Sequence, residues 1–193
     1  MILLACVSAG NPWGIGYDNE LLIKIPNDMK RFKDTTMYHT VICGRKTLES
    51  FPGGKPLPYR NHIILSNTHH EDDTLIRYPD CPTYFSIKWR NSVDSVLDEI
   101  KGLPPEQVFL IGGSSIYEQF LSYCHEAYIT TVYKTFTNCN KFIPNLAYEQ
   151  DWAKITESPI HVDVSSGALY KFSGYANVKK LREDAYQTKT ILY

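Results

Sequence analysis

Asp28 is the residue whose setting in this chain most suggests chemistry. It lies in the stretch from Pro26 to Thr36, PNDMKRFKDTT, which reads as a short helix. Proline suits a first helical turn because its missing N–H would have no partner there, and Asn27 and Asp28 put acceptors at the positive end of the helix dipole. Asp28, Phe32 and Thr36 are spaced by four and Met29 stands three before Phe32, so one face carries a carboxylate among apolar groups. Lys30, Arg31, Lys33 and Asp34 take the solvated side. One reading makes Asp28 a helix-terminus acid, satisfied by the first N–H groups or paired with Arg31 or Lys24. The other makes it a desolvated carboxylate of raised pKa that holds a flat, nitrogen-rich ring through paired N–H donors.

Two further stretches share a design suited to phosphate. In Gly44-Arg45-Lys46-Thr47 and in Gly112-Gly113-Ser114-Ser115, an apolar strand ends, glycine permits a tight turn, and a helix begins with its N–H groups free. Paired at the carboxyl ends of adjacent parallel strands, such turns suit a pyrophosphate. Neither is a Walker loop or a G-x-G-x-x-G fingerprint, but Arg45 and Lys46 add fixed cations that can meet an extra phosphate. Thr47 reads as the N-cap of a helix that Pro52-Gly-Gly soon stops.

The elements that must hold these residues follow from periodicity. Residues 2–8, 39–43, 61–66 and 107–111 are apolar runs that fit strands covered on both faces. Ser92 caps a helical repeat at positions 93, 96, 97 and 100, and 114–123 reads as another helix with Ile116, Phe120 and Leu121 inward. This alternation predicts an α/β fold with a mainly parallel sheet. The last third instead reads as longer strands at 127–134, 155–164 and 168–175, the last two forming a hairpin at Ser165-Ser-Gly167. Residues 10–25 read as irregular, with Leu21, Leu22 and Ile23 covering something, and 67–82 as a polar loop with one short strand near 74–78. Another short strand falls at 83–87, and the polar tail from 176 has a helical tendency over 178–186.

Composition narrows the partners. A chain of 193 residues fits one domain, and 20 basic against 21 acidic residues, without a basic block, point away from nucleic acid and anionic membranes and toward a small molecule. Five cysteines without C-x-x-C and six histidines without H-E-x-x-H give no disulfide framework and no metal site. The apolar start MILLACVSA lacks a basic leader and is too short to span a membrane, so it reads as a buried strand in a protein of the reducing cytoplasm.

The order Ile15-Gly16, Asn19, apolar loop, Pro26-x-Asp28, Met29, Phe32, Thr36 resembles the substrate loop and first helix of the dihydrofolate reductases. VICGRKTLES and FLIGGSSIYEQFL resemble the segments of that family that hold NADPH, and the likeness runs from residue 2 to about 175. It implies a single-domain α/β fold over 1–175, a mainly parallel central sheet with antiparallel C-terminal edge strands and flanking helices, and an extension over 176–193. The implied reaction is hydride transfer from NADPH to C6 of 7,8-dihydrofolate with protonation at N5, by a monomer.

By the same resemblance, Asp28 is the catalytic residue, a carboxylate that binds the 2-amino group and N3 of the pterin, and Thr130 bonds to it. Phe32, Phe51 and Leu57 sandwich the aminobenzoyl ring, and Arg60 pairs with the glutamate α-carboxylate. Cys6, Val7, Met29, Ile111 and Tyr117 complete the substrate site. For the cofactor, Arg45 and Lys46 meet phosphates, Thr47 caps at the diphosphate, and Ser66 and Asn67 lie near the 2′-phosphate. Gly44, Gly112, Gly113, Ser114, Ser115 and Tyr117 line the diphosphate side, with Val7, Ile15, Asn19, Ile111 and Ile116 completing the cofactor site.

Several positions depart from the family pattern: Ile23 stands for Trp, Leu21 for Met, Tyr59 for Gly, Ser115 for Arg, and Asn140-Lys-Phe-Ile-Pro144 for Asp-Thr-Phe-Phe-Pro. Two alternatives keep the fold: a pyrimidine reductase of riboflavin synthesis, and a non-catalytic nucleotide-binding or assembly protein that uses the tail as its contact element.

Overall fold

Runs of branched and aromatic residues flanked by glycine and proline alternate with short amphipathic stretches, and a computed structural model shows how they assemble; it describes residues 1–191, with side chains through residue 185. The strands of the first two thirds are β1 (Ile2–Ser8), β2 (Trp13–Tyr17), β3 (Glu20–Leu21), β4 (Thr40–Gly44), β5 (Asn61–Leu65), β6 (Asp72–Arg77), β7 (Tyr84–Arg90) and β8 (Val108–Leu110). The helices among and after them are α1 (Pro26–Thr36), α2 (Arg45–Glu49), α3 (Val93–Ile100) and α4 (Ser114–Phe120). The chain ends with β9 (Glu126–Val132), β10 (Lys141–Ile143), β11 (Trp152–Glu157), β12 (His161–Val162), β13 (Leu169–Asn177) and α5 (Val178–Ile191).

The main sheet runs β11-β13-β9-β1-β8-β4-β5-β7-β6. Its middle is parallel, through the pairs β9-β1, β1-β8, β8-β4, β4-β5 and β5-β7, and β13, β11 and β6 close the edges antiparallel. This is the α/β architecture expected from the strand and helix alternation. Apolar side chains cover both faces of the parallel centre: Leu3, Ile42, Ile63, Leu110 and Ile129 belong to one cluster, and Ile2, Val41, Cys43, Ile64 and Phe109 to another.

Some elements differ from the sequence reading. Residues 13–21 form the β2-β3 hairpin, with β2 also pairing β1 and β10; its turn places Asp18 and Asn19 at positive φ, a conformation that hides the strand pattern in a local reading. The strand expected over 155–164 is two strands, β11 and β12, that both pair β13. Pro159 cannot donate to a ladder, and Ser158 bridges the gap by giving its N–H to the Phe172 carbonyl (2.8 Å) and accepting the Phe172 N–H on Oγ (3.0 Å). The final strand runs to Asn177 rather than 175, because Asn177 Nδ2 anchors on the Cys124 carbonyl and its Oδ1 accepts the Lys180 N–H at the start of α5. The helix expected over 114–123 ends at Phe120 and tightens into a 3-10 turn over Leu121–Tyr123.

Candidate functional site

The register of the sheet decides what lies beneath α1. Cys6 of β1 pairs with Thr130 of β9, and Thr130 pairs with Phe172 of β13, so the three stand in one row across adjacent strands. Asp28 comes down onto this row. Its Oδ1 accepts a hydrogen bond from Thr130 Oγ1 at 2.5 Å, and the Cys6 thiol is turned to the same carboxylate. The N-cap of α1 is Ile25, without a side-chain cap bond, so Asp28 is not the helix cap of the first reading. Burial pushes the Asp28 carboxyl above its ordinary range, opposed by the Thr130 hydrogen bond, the Arg31 charge and Cys6. The same burial, with Asp28 alongside, holds the Cys6 thiol well above its usual value.

Phe32, Phe51 and Leu57 pack against one cluster, built on Ile2, Leu48, Phe109 and Ile111, so the three expected ring-sandwiching residues are brought to one side of the sheet. Met29 stands at the rim, 43% exposed, rather than on the buried face. Arg60 is 4% exposed and pinned: Nε donates to Thr36 Oγ1 (2.8 Å), Nη1 to the Pro58 carbonyl (2.6 Å) and Nη2 to the Lys33 carbonyl (3.2 Å). Thr36 in turn donates to the Phe32 carbonyl at 2.7 Å, so the end of α1 orients the arginine. Each Nη retains a second N–H, the fork that suits a carboxylate.

His62, which sequence reasoning read only as part of a buried strand, fixes the neighbouring loop. Its Nε2 accepts the Leu57 N–H (3.0 Å) and its Nδ1 bonds to the Arg60 carbonyl (3.1 Å), which sets a neutral ring protonated on Nδ1. Burial brings its pKa down to about 4. The signal available was a polar ring at the head of an apolar strand, which must be hydrogen-bonded if buried.

On the other side of the cleft, the two glycine turns meet. The Gly44 N–H donates to the Gly112 carbonyl at 2.9 Å, and a Cβ at Gly113 would lie 3.4 Å from Thr47 Oγ1. Gly112 has φ +104°, and a Cβ there would press within 2.9 Å of the Tyr117 ring. Gly44 likewise lies against Ile116, which is buried. Thr47 is not a cap: α2 starts at Arg45 with the extended Gly44 as N-cap, since the strand feeds straight into the helix, and Thr47 is its third residue. Arg45 Nη1 pairs with Glu49 Oε1 at 2.5 Å along the exposed face of α2. Asn19 Nδ2 donates to the Lys46 carbonyl at 2.7 Å, tying the β2-β3 turn to the start of α2.

Of the remaining expected cofactor residues, Val7 and Ile111 are buried at the ends of β1 and β8, and Ile15 is half-buried in β2. Ser66 is buried, with Oγ 3.3 Å from Thr68 Oγ1, and Asn67 follows it in the exposed turn. Ser114 opens α4, while the Ser115 hydroxyl is engaged by Gln119 Nε2 at 2.9 Å. Tyr117 is a wall rather than a donor toward the diphosphate, because its hydroxyl gives its proton to the Leu4 carbonyl at 2.8 Å. Free first-turn N–H groups at two apposed turns, a close approach that only glycine permits, and the Arg45 and Lys46 cations form a donor set that fits a dinucleotide phosphate chain. Among the described residues, no group of His, Cys, Asp and Glu is placed to hold a metal ion, and no helix is long and apolar enough to cross a membrane.

Comparison with known proteins bears on this arrangement directly. The profile of a family described as dihydrofolate reductase matches residues 2–177, from the first strand to the last. The chain belongs to the dihydrofolate reductase family. It is 32% identical over 161 residues to the dihydrofolate reductase of Bacillus subtilis (strain 168), covering 83% of this chain and 86% of that protein. It is 30% identical over 165 residues to the enzyme of Staphylococcus haemolyticus, covering 86% and 89% of the two. A solved structure, dihydrofolate reductase from Enterococcus faecalis complexed with NADP(H) and RAB-propyl, superposes with a TM-score of 0.68 at 23% identity, over 91% of this chain and 94% of that one, and shows that the fold is shared.

Proposed function

We propose that this family member reduces 7,8-dihydrofolate to 5,6,7,8-tetrahydrofolate with NADPH. The observation that carries the reading is the Asp28 carboxylate, buried over the sheet with one oxygen taken by Thr130 and facing the cleft that Phe32, Phe51 and Leu57 line. A carboxylate so placed accepts the paired N–H donors of a pterin edge, and Arg60, held rigid by Thr36, Pro58 and Lys33, offers its fork to the acid at the other end. A ring-binding acid, a carboxylate-binding arginine and the walls of Phe32, Phe51 and Leu57 together suit a pteridine bearing an aminobenzoyl glutamate.

NADPH, when bound, supplies the hydride. The chain's own residues bind, orient and exclude water: the Gly44 and Gly112-Gly113 turns and the Arg45 and Lys46 cations hold the phosphates, and Ile111 and Val7 wall the cleft where the two ligands meet. The negative charge of Asp28 favours the protonated ring. A carboxylate that holds the 2-amino side does not also reach N5, so the proton arrives there through water. Residues 1–177 form the reductase unit, acting as a monomer in the cytoplasm without nucleic acid or membrane partners, and the tail from α5 is an extension of it.

The test is NADPH consumption, followed by absorbance, with dihydrofolate and then with a ribosylaminopyrimidine. Turnover with dihydrofolate, and tetrahydrofolate as product, is expected. Turnover with the pyrimidine alone, or with neither, would overturn the assignment.

A further inference from the structure

Arg31 stands one helical turn after Asp28, and its side chain does not take the solvated course that the helical spacing predicts. It lies back over the sheet, with Cζ 4.5 Å from the centroid of the Phe172 ring and 5.8 Å from that of Tyr128. Phe172 is the register partner of Thr130, whose hydroxyl holds Asp28, so cation and carboxylate rest over adjacent strands in the same row of the sheet. Nη1 is buried and makes no hydrogen bond to a protein group. Among the described residues, neither Arg31 nor Asp28 takes part in an ion pair.

The groups that surround the two leave their charges to act on each other. Facing Asp28 from other elements are the Cys6 thiol of β1, the Thr130 hydroxyl of β9 and, further off, the Tyr117 phenol of α4; burial pushes both ionisable ones up, so they stay neutral. Facing Arg31 are the Tyr128 phenol, also pushed up by burial, and the apolar Phe172. A cavity of about 350 Å³ beyond Arg31 is lined by Asn27, Lys30, Asp34 and His161 among others, and there Lys30 and Asp34 neutralise each other at 2.5 Å. Aromatic faces on the sheet side of the half-buried guanidinium, with Nη1 shut off from solvent, keep the charge effective over a helical turn.

We propose that Arg31 is a positioning charge: across one turn of α1 it holds the Asp28 carboxylate ionised against burial, and so sets the pH at which the ring-binding site changes charge. The coupling does not depend on which reaction is catalysed; its consequence for turnover rests on the reductase reading above. The direction is fixed by sign. A nearby cation disfavours protonation, so removing it raises the Asp28 pKa, and the hydride step, which falls as pH rises through an apparent pKa shared by enzyme and substrate, then persists to higher pH.

The experiment compares Arg31→Met, which keeps an apolar stem on Phe172, with Arg31→Lys, which keeps the charge. Asp28 is titrated in the ligand-free protein by its carboxyl carbon NMR signal, assigned through its loss in Asp28→Asn. Methionine is expected to raise the Asp28 pKa by about half a unit or more, and lysine by less than half of that shift. The apparent pKa of single-turnover NADPH oxidation should move the same way. An unmoved Asp28 in Arg31→Met, or equal shifts in the two variants, would overturn the proposal, the second by showing that packing rather than charge is responsible. Should Arg31→Met not fold, Arg31→Gln against Arg31→Lys makes the same comparison. A titration shift in a protein that oxidises NADPH with no folate would strike the reductase reading and leave the coupling standing.

Discussion

Asp28 is costly to bury, and the fold spends a Thr130 hydroxyl and a thiol on it where an asparagine would need less. The charge itself must therefore be what matters. Asp28→Asn should fold and bind NADPH, yet slow the hydride step at neutral pH by at least about a hundredfold, the lower range for a positioned acid–base group. Part of the rate should return in acid, where bulk protons replace what the charge no longer attracts. Single-turnover NADPH oxidation across pH tests this, and a variant that matches the parent rate and profile would reduce Asp28 to a structural acid. Arg60 makes a second residue-level prediction. Arg60→Ala should raise KM for dihydrofolate roughly tenfold to a hundredfold, the worth of a charge-assisted contact, and should spare a pteridine that lacks the glutamate. An equal penalty for both ligands would show that Arg60 only ties Thr36 and Lys33 to Pro58.

At the scale of elements, the cleft exists because strands end in glycine turns rather than in capped helices. α2 and α4 have no side-chain cap, which leaves first-turn N–H groups to a ligand, whereas α3, away from the cleft, is closed by a full capping box between Ser92 and Ser95. Gly112 is the tightest point of this design. Gly112→Ala meets both a φ of +104° and a ring carbon of Tyr117 at 2.9 Å, while Gly167→Ala, at φ +68° with nothing within 4 Å, meets only backbone strain. The first should cost about 2 kcal/mol or more and weaken NADPH binding at least about tenfold; the second should cost about 1 kcal/mol and leave binding intact. Thermal melts and a binding titration on both variants check this. Equal effects on binding would mean that the approach of turn to ring is not part of the cofactor site.

For the whole molecule, pH acts through His62, which ties Leu57 and Arg60 of the preceding loop to the start of β5. Its folded pKa of about 4 lies below the unfolded value of about 6.5, so the unfolded chain binds the extra proton between these limits. Its contribution is therefore fully present above about pH 6.5 and is lost as pH falls toward 4, amounting to about 3 kcal/mol. Urea unfolding at pH 7 and pH 4.5 should show this loss in the parent and a much smaller one in His62→Gln; an identical slope in both would assign the acid sensitivity elsewhere.

The parallel sheet, α1 from Pro26 to Thr36, the capped α3 and both glycine turns were legible in the sequence because each is written in local terms: a period, a proline, a serine cap, a glycine where a strand stops. Asp28 could be singled out for the same reason, as one acid on an apolar face. What local spacing could not decide was the partner of each group. That Asp28 meets Thr130, 102 positions away, and that Arg31 leaves solvent for Phe172 depend on which strands lie under α1. The break at Pro159 depends likewise on Phe172, 14 positions from Ser158, while the β2-β3 hairpin and the neutral His62 close over short spans, through a turn at positive φ and bonds to backbone groups that a pattern of side-chain types does not show. The sequence by itself determined the elements and the chemical groups they carry; only the tertiary structure, by setting strand order and register, decided which of those groups share a low-dielectric space and so change one another's chemistry.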